Sequence, residues 1–248
     1  MGSFFNVLVV RLPKEQNVVS ERSMCTNCHT QLKWYDLIPI LSFLLLRGKC
    51  RYCGHKLSYQ YLVSELTVGG LFLLAFLVQG RNFSYAQTIF YLTLWSMLFV
   101  VGVMDYREGI IIDQVMLPFA VIVSIVRLMN GVSVGQLLLG AAAGFAFYIL
   151  IYLLARLFYK REGFGMGDVV LLTAIGFFFG PAKTILTGVL AFYCCLLLLL
   201  VMWLFKSKVE RHTEIPFAPS ICLAAFAVSL AGDLMLAFLR GYFHVSFF

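Results

Sequence analysis

The sequence predicts an all-α polytopic integral membrane protein of about eight transmembrane helices, with a small cytoplasmic zinc-ribbon-like insert after the first helix. Three observations carry this. The 248 residues are 61% hydrophobic and 12% charged, more apolar surface than a water-soluble core can use. The apolar runs approach 20 residues and do not alternate ("LVSELTVGGLFLLAFLV"), which excludes a transmembrane barrel; helices satisfy their own backbone in lipid. Segment 11–58 alone breaks the pattern, and it holds four of the seven cysteines.

The expected spans are 1–12, 59–79, 86–104, 111–129, 134–156, 168–181, 184–205 and 217–239. With segment 11–58 in the cytoplasm, alternation places fifteen Lys and Arg inside, eight of them from Arg11 to Lys56. Arg107, Arg156, Lys160, Arg161, Lys206, Lys208 and Arg211 complete that set, against four outside (Arg81, Arg127, Lys183 and Arg240). This positive-inside bias accounts for the net charge of +7 without a nucleic-acid partner, for which no base-reading element is present. The C-terminus is then outside. Spans 1–12 and 168–181 are short. The first has no basic region before it and reads as a short transmembrane helix rather than a cleaved signal.

The expected domains are the helix 1–12, a cytoplasmic four-cysteine module 13–58 and a membrane-embedded domain 59–248. In the module, "CTNC" and "CRYC" place Cys25, Cys28, Cys50 and Cys53 as C-x2-C-x21-C-x2-C, one residue longer than the usual upper ribbon spacing. Two such turns present four thiolates to one point, the shell that zinc prefers, and a reducing cytoplasm disfavours disulfides. Four sulfurs leave no open position, so the metal would be structural. It would supply folding energy to a segment with little core. His29 and His55 follow the two turns and read as loop residues. Cys194, Cys195 and Cys222 read as packing residues.

Of twelve acidic residues, Glu15, Glu21, Asp36, Glu210 and Glu214 sit among basic loop residues and are expected to be solvated; Asp233 is near the outer end of the last span. Glu65, Asp105, Glu108, Asp113, Glu162 and Asp168 lie in or beside spans on the cytoplasmic side, where an ionisable group is a functional candidate. Asp168 closes "GFGMGD" and opens a helix, where it can also serve the helix dipole. Gly165 and Gly167 allow a close approach of another chain. Asp105, in "VVGVMDYREG", falls on the same membrane face by helix parity. Two such aspartates, with no Ser–His or Cys–His arrangement, suggest aspartyl proteolysis through one shared proton.

These residues have a family pattern. "GSFFNVLVVRLP", "RSMCTNCHTQLKWYDLIPILSFLLLRGKCRYCGHKLSYQYLVSEL", "DYREGIIID", "GMGDVVLLTAIGFFFG" and "IPFAPS" run in order through nearly the whole chain, which resembles the type IV prepilin peptidases, bacterial GxGD aspartyl proteases. The resemblance implies that Asp105 and Asp168 are catalytic, that Gly165 and Gly167 shape the second site, and that the four cysteines bind zinc. Glu65 matches an acidic family position with a catalytic-support or packing role. Such enzymes cut prepilins and pseudopilins with short basic leaders after a glycine, at the cytoplasmic face of the bacterial plasma membrane. Many then methylate the new N-terminus with S-adenosylmethionine, an activity for which Arg47, Gly48 and Lys49 are the candidates. No Rossmann-type glycine fingerprint accompanies them. Ile112 stands where the family usually has proline, which leaves Asp113 as a rival to Asp105. "PFAP" replaces the usual "PFGP", and the first span is shorter than the family's.

Three other readings compete. A silent scaffold with a partner-binding zinc module predicts no effect of the aspartates. A transporter would place acids deep in several spans. A presenilin-type protease lacks a cysteine-rich insert. Small residues "GAAAG", 140–144, suit close helix packing, within one chain by preference.

Overall fold

The computed structural model describes residues 2–14, 24–25, 27–38, 40–80, 84–159, 165–205 and 216–243. Expected charges at Lys160, Arg161, Lys206, Lys208, Arg211, Arg81 and Arg22, and the carboxylates Glu15, Glu21, Glu162, Glu210 and Glu214, lie outside them. Among the described residues are nine α-helices and no strand: α1 (Gly2–Arg11), α2 (Leu41–Leu45), α3 (Tyr59–Gln79), α4 (Tyr85–Glu108), α5 (Asp113–Met129), α6 (Val134–Tyr159), α7 (Met166–Phe179), α8 (Pro181–Phe205) and α9 (Ala218–Phe243). Each expected span contains a helix, but five are long and apolar enough to cross a membrane: α3, α4, α6, α8 and α9. The others, α1, α5 and α7, have 10, 17 and 14 residues. Backbone contacts divide the chain into Met1–Gly80 and Arg81–Phe248.

In the first unit, α1 packs against α3 and buries Phe5 and Val9. The Ser58 hydroxyl caps α3 by accepting from the Gln60 amide. Between these helices the two C-x2-C turns have one backbone design. The Cys25 amide donates to the Thr30 carbonyl and the His29 amide to the Cys25 carbonyl; the Cys50 amide donates to the His55 carbonyl and the Gly54 amide to the Cys50 carbonyl. A β-bridge closes each turn, Met24 with Gln31 and Lys49 with Lys56. The residue after the second cysteine is left-handed in both, Gly54 at φ 69° and His29 at φ 53°. Glycine adopts that region freely, whereas a side chain is strained there.

Asp36 departs from the expectation of a solvated loop acid. Its side chain is 2% exposed. It accepts from Arg51 Nε (2.7 Å), the Tyr52 hydroxyl (3.0 Å) and the Lys33 amide (3.2 Å), tying the 3-10 turn Trp34–Leu37 to the second cysteine turn. Burial opposes its ionisation, but these hydrogen bonds prevail and hold its carboxyl below the usual range.

In the second unit α7 is enclosed, packed on α5, α6, α8 and α9. Eight of its fourteen residues are buried, so neighbouring helices rather than lipid cover a helix too short for the bilayer. Its closest partner is α6. A Cβ on Gly176 would stand 2.5 Å from the Gly140 carbonyl carbon and 2.6 Å from the Ala141 amide, and one on Gly144 would stand 2.5 Å from the Leu172 carbonyl oxygen. The small residues of 140–144 thus pack within the chain. Arg127, at the end of α5, donates from Nη1 to the Phe178 carbonyl (2.8 Å) and caps the C-terminus of α7.

Three outcomes are expected. Gly176→Leu separates α6 from α7 and lowers the thermal midpoint in detergent, with a cost of roughly 2 kcal/mol or more. His29→Gly relieves a strained turn and stabilises the metal-loaded module by about 1 kcal/mol. Because the Asp36 carboxyl is depressed in the folded state, its contribution is present above the unfolded pKa and is lost as pH falls through the folded one. Asp36→Asn should therefore flatten the acid limb of the module's stability profile.

Candidate active site and metal centre

The four cysteines are free thiols. Their sulfurs all lie within 4.8 Å of one another, and Cys25 Sγ is 3.8 Å from Cys53 Sγ. Tetrahedral metal–sulfur bonds of 2.3 Å separate sulfurs by about 3.8 Å, so the cluster can hold a metal ion. Hydrogen bonds favour the thiolate at two of the four ligands, while burial and the neighbouring Cys28 and Cys50 thiols push the Cys53 thiol up to about 11. Hydrogen bonds from the Thr30 side chain and amide pull the Cys28 thiol down to about 6. The amides of Tyr52 and Cys53 lower that of Cys50. Both shifts favour the thiolate that a metal needs. His29 and His55 are exposed loop residues beside this cluster.

Arg47, Gly48 and Lys49 form the turn from α2 into the second cysteine turn. Arg47 and Gly48 are both left-handed, and the Gly48 amide donates to the Phe43 carbonyl (2.8 Å). Gly48 is buried; a Cβ there would meet the Phe43 ring at 3.0 Å. Arg47 and Lys49 are exposed. Glu65, on α3, accepts at 2.6 Å from the amide of Ile40, whose φ of 61° is the strained entry to α2. That contact lies within the first unit.

In the second unit, helix ends bring two aspartates together. α4 runs four residues past the expected boundary and ends at Gly109, whose amide donates to the Asp105 carbonyl (2.9 Å); Asp105 therefore sits inside the last helical turn. α7 begins two residues early, with Gly165 as N-cap, so Asp168 is its third residue. The Asp168 amide donates to the Gly165 carbonyl (3.1 Å). A Cβ at Gly165 would touch Asp168 Oδ2 at 3.4 Å, and one at Gly167 would crowd Ile111 at 3.1 Å. The two glycines thus let the helix start and segment 110–112 meet closely. Asp105 is 7% and Asp168 6% exposed, and the carboxylates lie within electrostatic range of each other.

Asp113, the rival, is exposed in the first turn of α5, as is Glu108 at the end of α4. α9 supplies a third wall that the pattern of carboxylates in the sequence does not reveal. The Ala218 amide, at its first residue, donates to Asp105 Oδ2 (3.1 Å). Cys222, one turn further on and expected only to pack, is buried within electrostatic range of both aspartates. Gly102 gives it room, since a Cβ there would be 3.4 Å from Cys222 Sγ. Tyr148, on α6, is within electrostatic range of Asp168 and donates to the Gly188 carbonyl. The available signal was "PFAPS", whose prolines flank the start of α9.

Comparison with known proteins gives the geometry a family. Residues 1–79 match the bacterial peptidase A24 N-terminal domain, and residues 92–200 match the type IV leader peptidase family. A prepilin leader peptidase/N-methyltransferase of Vibrio cholerae is 31% identical over 252 residues, covering 95% of this chain and 94% of that protein. A protein of the same name from Bacillus subtilis is 30% identical, covering 96% and 93%. A third, from Xanthomonas campestris, is 31% identical, covering 97% and 91%. No solved structure matches. The chain is an integral membrane protein that belongs to the type IV leader peptidase family.

Proposed function

We propose that the chain cleaves the short basic leaders of type IV prepilins or pseudopilins, with Asp105 and Asp168 as the catalytic pair. The observation that carries this is the burial of these two carboxylates at the facing ends of α4 and α7. Two buried carboxylates within electrostatic range of each other favour a state in which one is protonated and the other ionised. The ionised member takes a proton from a water molecule, whose oxygen attacks the scissile carbonyl carbon. The protonated member gives its proton to the carbonyl oxygen. Collapse of the tetrahedral intermediate expels the amine, which takes a proton from the pair, and the acid–base states are restored for the next turn. Gly165 and Gly167 let segment 110–112 pack against the start of α7, which shapes the wall beside Asp168. A silent scaffold would have no use for two buried carboxylates, and that reading is not favoured.

The chemistry falls in residues 59–248, beyond the short helix 1–12 and the module 13–58. The orientation we favour puts the aspartates at the cytoplasmic face of the bacterial plasma membrane, with the C-terminus outside, because Arg107 and Arg156 lie in the last turns of α4 and α6 at that end. The four-cysteine cluster fits zinc by ligand type and sulfur spacing, and would be structural. Cys25, Cys28, Cys50 and Cys53 would hold it. For N-terminal methylation, which the relatives carry in their names, the cofactor would be S-adenosylmethionine. The Arg47–Lys49 turn offers two exposed cations but does not enclose a cofactor, so no step is assigned to it.

Cleavage of a short-leader prepilin in membranes tests the pair. Asp105→Asn and Asp168→Asn should each lower the rate on the order of a thousandfold or more, while Asp113→Asn keeps it near wild type. A dead Asp113→Asn beside an active Asp105→Asn would reassign the first aspartate. The reduced, purified chain should contain about one zinc, lost in Cys25→Ser/Cys50→Ser.

A further inference from the structure

At the end of the second unit remote from the aspartates lies a cavity of about 390 Å³, whose lining includes Gln87, Arg127, Asn130, Phe178, Lys183 and Asp233. Gln87 is in the first turn of α4, eighteen residues before Asp105, or about 27 Å along the helix. That is close to the thickness of a bilayer's hydrocarbon core, so the cavity belongs to the opposite interface.

Its origin is the short helix. α7 spans about 21 Å, less than the thickness of a bilayer's hydrocarbon core, and its last residues, Phe178 and Phe179, line the gap beside its C-terminus. Arg127 descends into this gap. Its Nη1 is satisfied by the Phe178 carbonyl, but its Nε is buried and has no hydrogen-bond partner among the described residues. Lys183, at the start of α8, bonds to Asp233 Oδ2 at 2.8 Å. The Asp233 side chain is 89% exposed and faces solvent at the rim, while Lys183 is 29% exposed. The cavity is therefore lined by one half-buried guanidinium and one ammonium shared with a rim carboxylate, and carries a net positive charge. Two cations facing one cavity favour a ligand with a charged acceptor. The first turn of α8 presents the positive end of its dipole on the same side.

We propose that this cavity is a binding site for a phosphate-bearing anion, held by Arg127 and Lys183 at the interface opposite the aspartates. Two sources have this chemistry: the headgroup of an anionic membrane lipid and free phosphate. The site owes nothing to the peptidase reading, since it lies on the other face and uses none of the same residues.

The full chain, stripped of lipid in a neutral detergent, is titrated with phosphatidylglycerol, phosphatidylcholine or sodium phosphate. Occupancy is read by native mass spectrometry, and protection by the shift in thermal midpoint. Wild type should bind phosphatidylglycerol about tenfold more tightly than phosphatidylcholine, the scale of one charge-assisted hydrogen bond. Arg127→Gln and Lys183→Gln should each remove that preference. Arg240→Gln, an exposed charge on α9, should keep it. Protection by sodium phosphate alone, lost in the same variants, identifies free phosphate as the source. Should Arg127→Gln fail to fold because it uncaps α7, Lys183→Gln decides. Equal binding of the two lipids with no effect of phosphate overturns the proposal, as does a preference that survives in Lys183→Gln.

Discussion

The second unit depends on one close backbone contact. α7 has fourteen residues where a bilayer asks for about twenty, and such a helix cannot be left facing lipid at both ends. It is held by α6, with Gly140 and Gly144 against Gly176 and the Leu172 carbonyl, at a separation that any larger residue would prevent. Enclosed in this way, α7 has little freedom to tilt. Its N-terminus sets the depth of Asp168. Its C-terminus leaves the gap that Arg127 enters.

Because α7 is fixed, the position of Asp105 becomes a matter of where α4 stops. Gly109 ends α4 only after the helix has passed Asp105, so the carboxylate is carried on a rigid turn instead of a loop. The Ala218 amide then fixes one of its oxygens from the start of α9. Three helix ends meet here, and each contributes a different kind of group: a carboxylate from α4, a carboxylate from α7, a backbone donor from α9. Asp113, by contrast, is exposed in the first turn of α5.

Much of this was legible in the sequence because hydrophobic length and charge bias are strong signals. The helical class follows from run lengths, and parity with the glycines before Asp168 is what singles out Asp105 and Asp168 as candidates. Where a helix ends is weaker. The expected boundary at 104 left Asp105 outside α4, because Tyr106, Arg107 and Glu108 look like a loop by polarity although they continue the helix to Gly109. Asp36 shows the opposite failure. Apart from the Lys33 amide, the groups that bind it, on Arg51 and Tyr52, are fifteen and sixteen positions away. No local pattern reports such a partner. The same holds for Ala218 and Cys222, more than a hundred residues from the carboxylate they adjoin.

The module makes a related point about repetition. Its two cysteine turns differ at nearly every position between and after the sulfurs, yet they share the same hydrogen bonds, the same closing bridge and the same left-handed residue. What repeats is the geometry needed to aim two sulfurs at one point. The second turn meets it with Gly54, which is unstrained; the first meets it with His29, which is not. A strained turn persists only if something else holds it, and within this segment the candidate is the sulfur cluster itself, since the module's helix α2 is five residues long and buries none of them. The cysteines therefore account for the shape of the chain around them as well as for the metal they can bind.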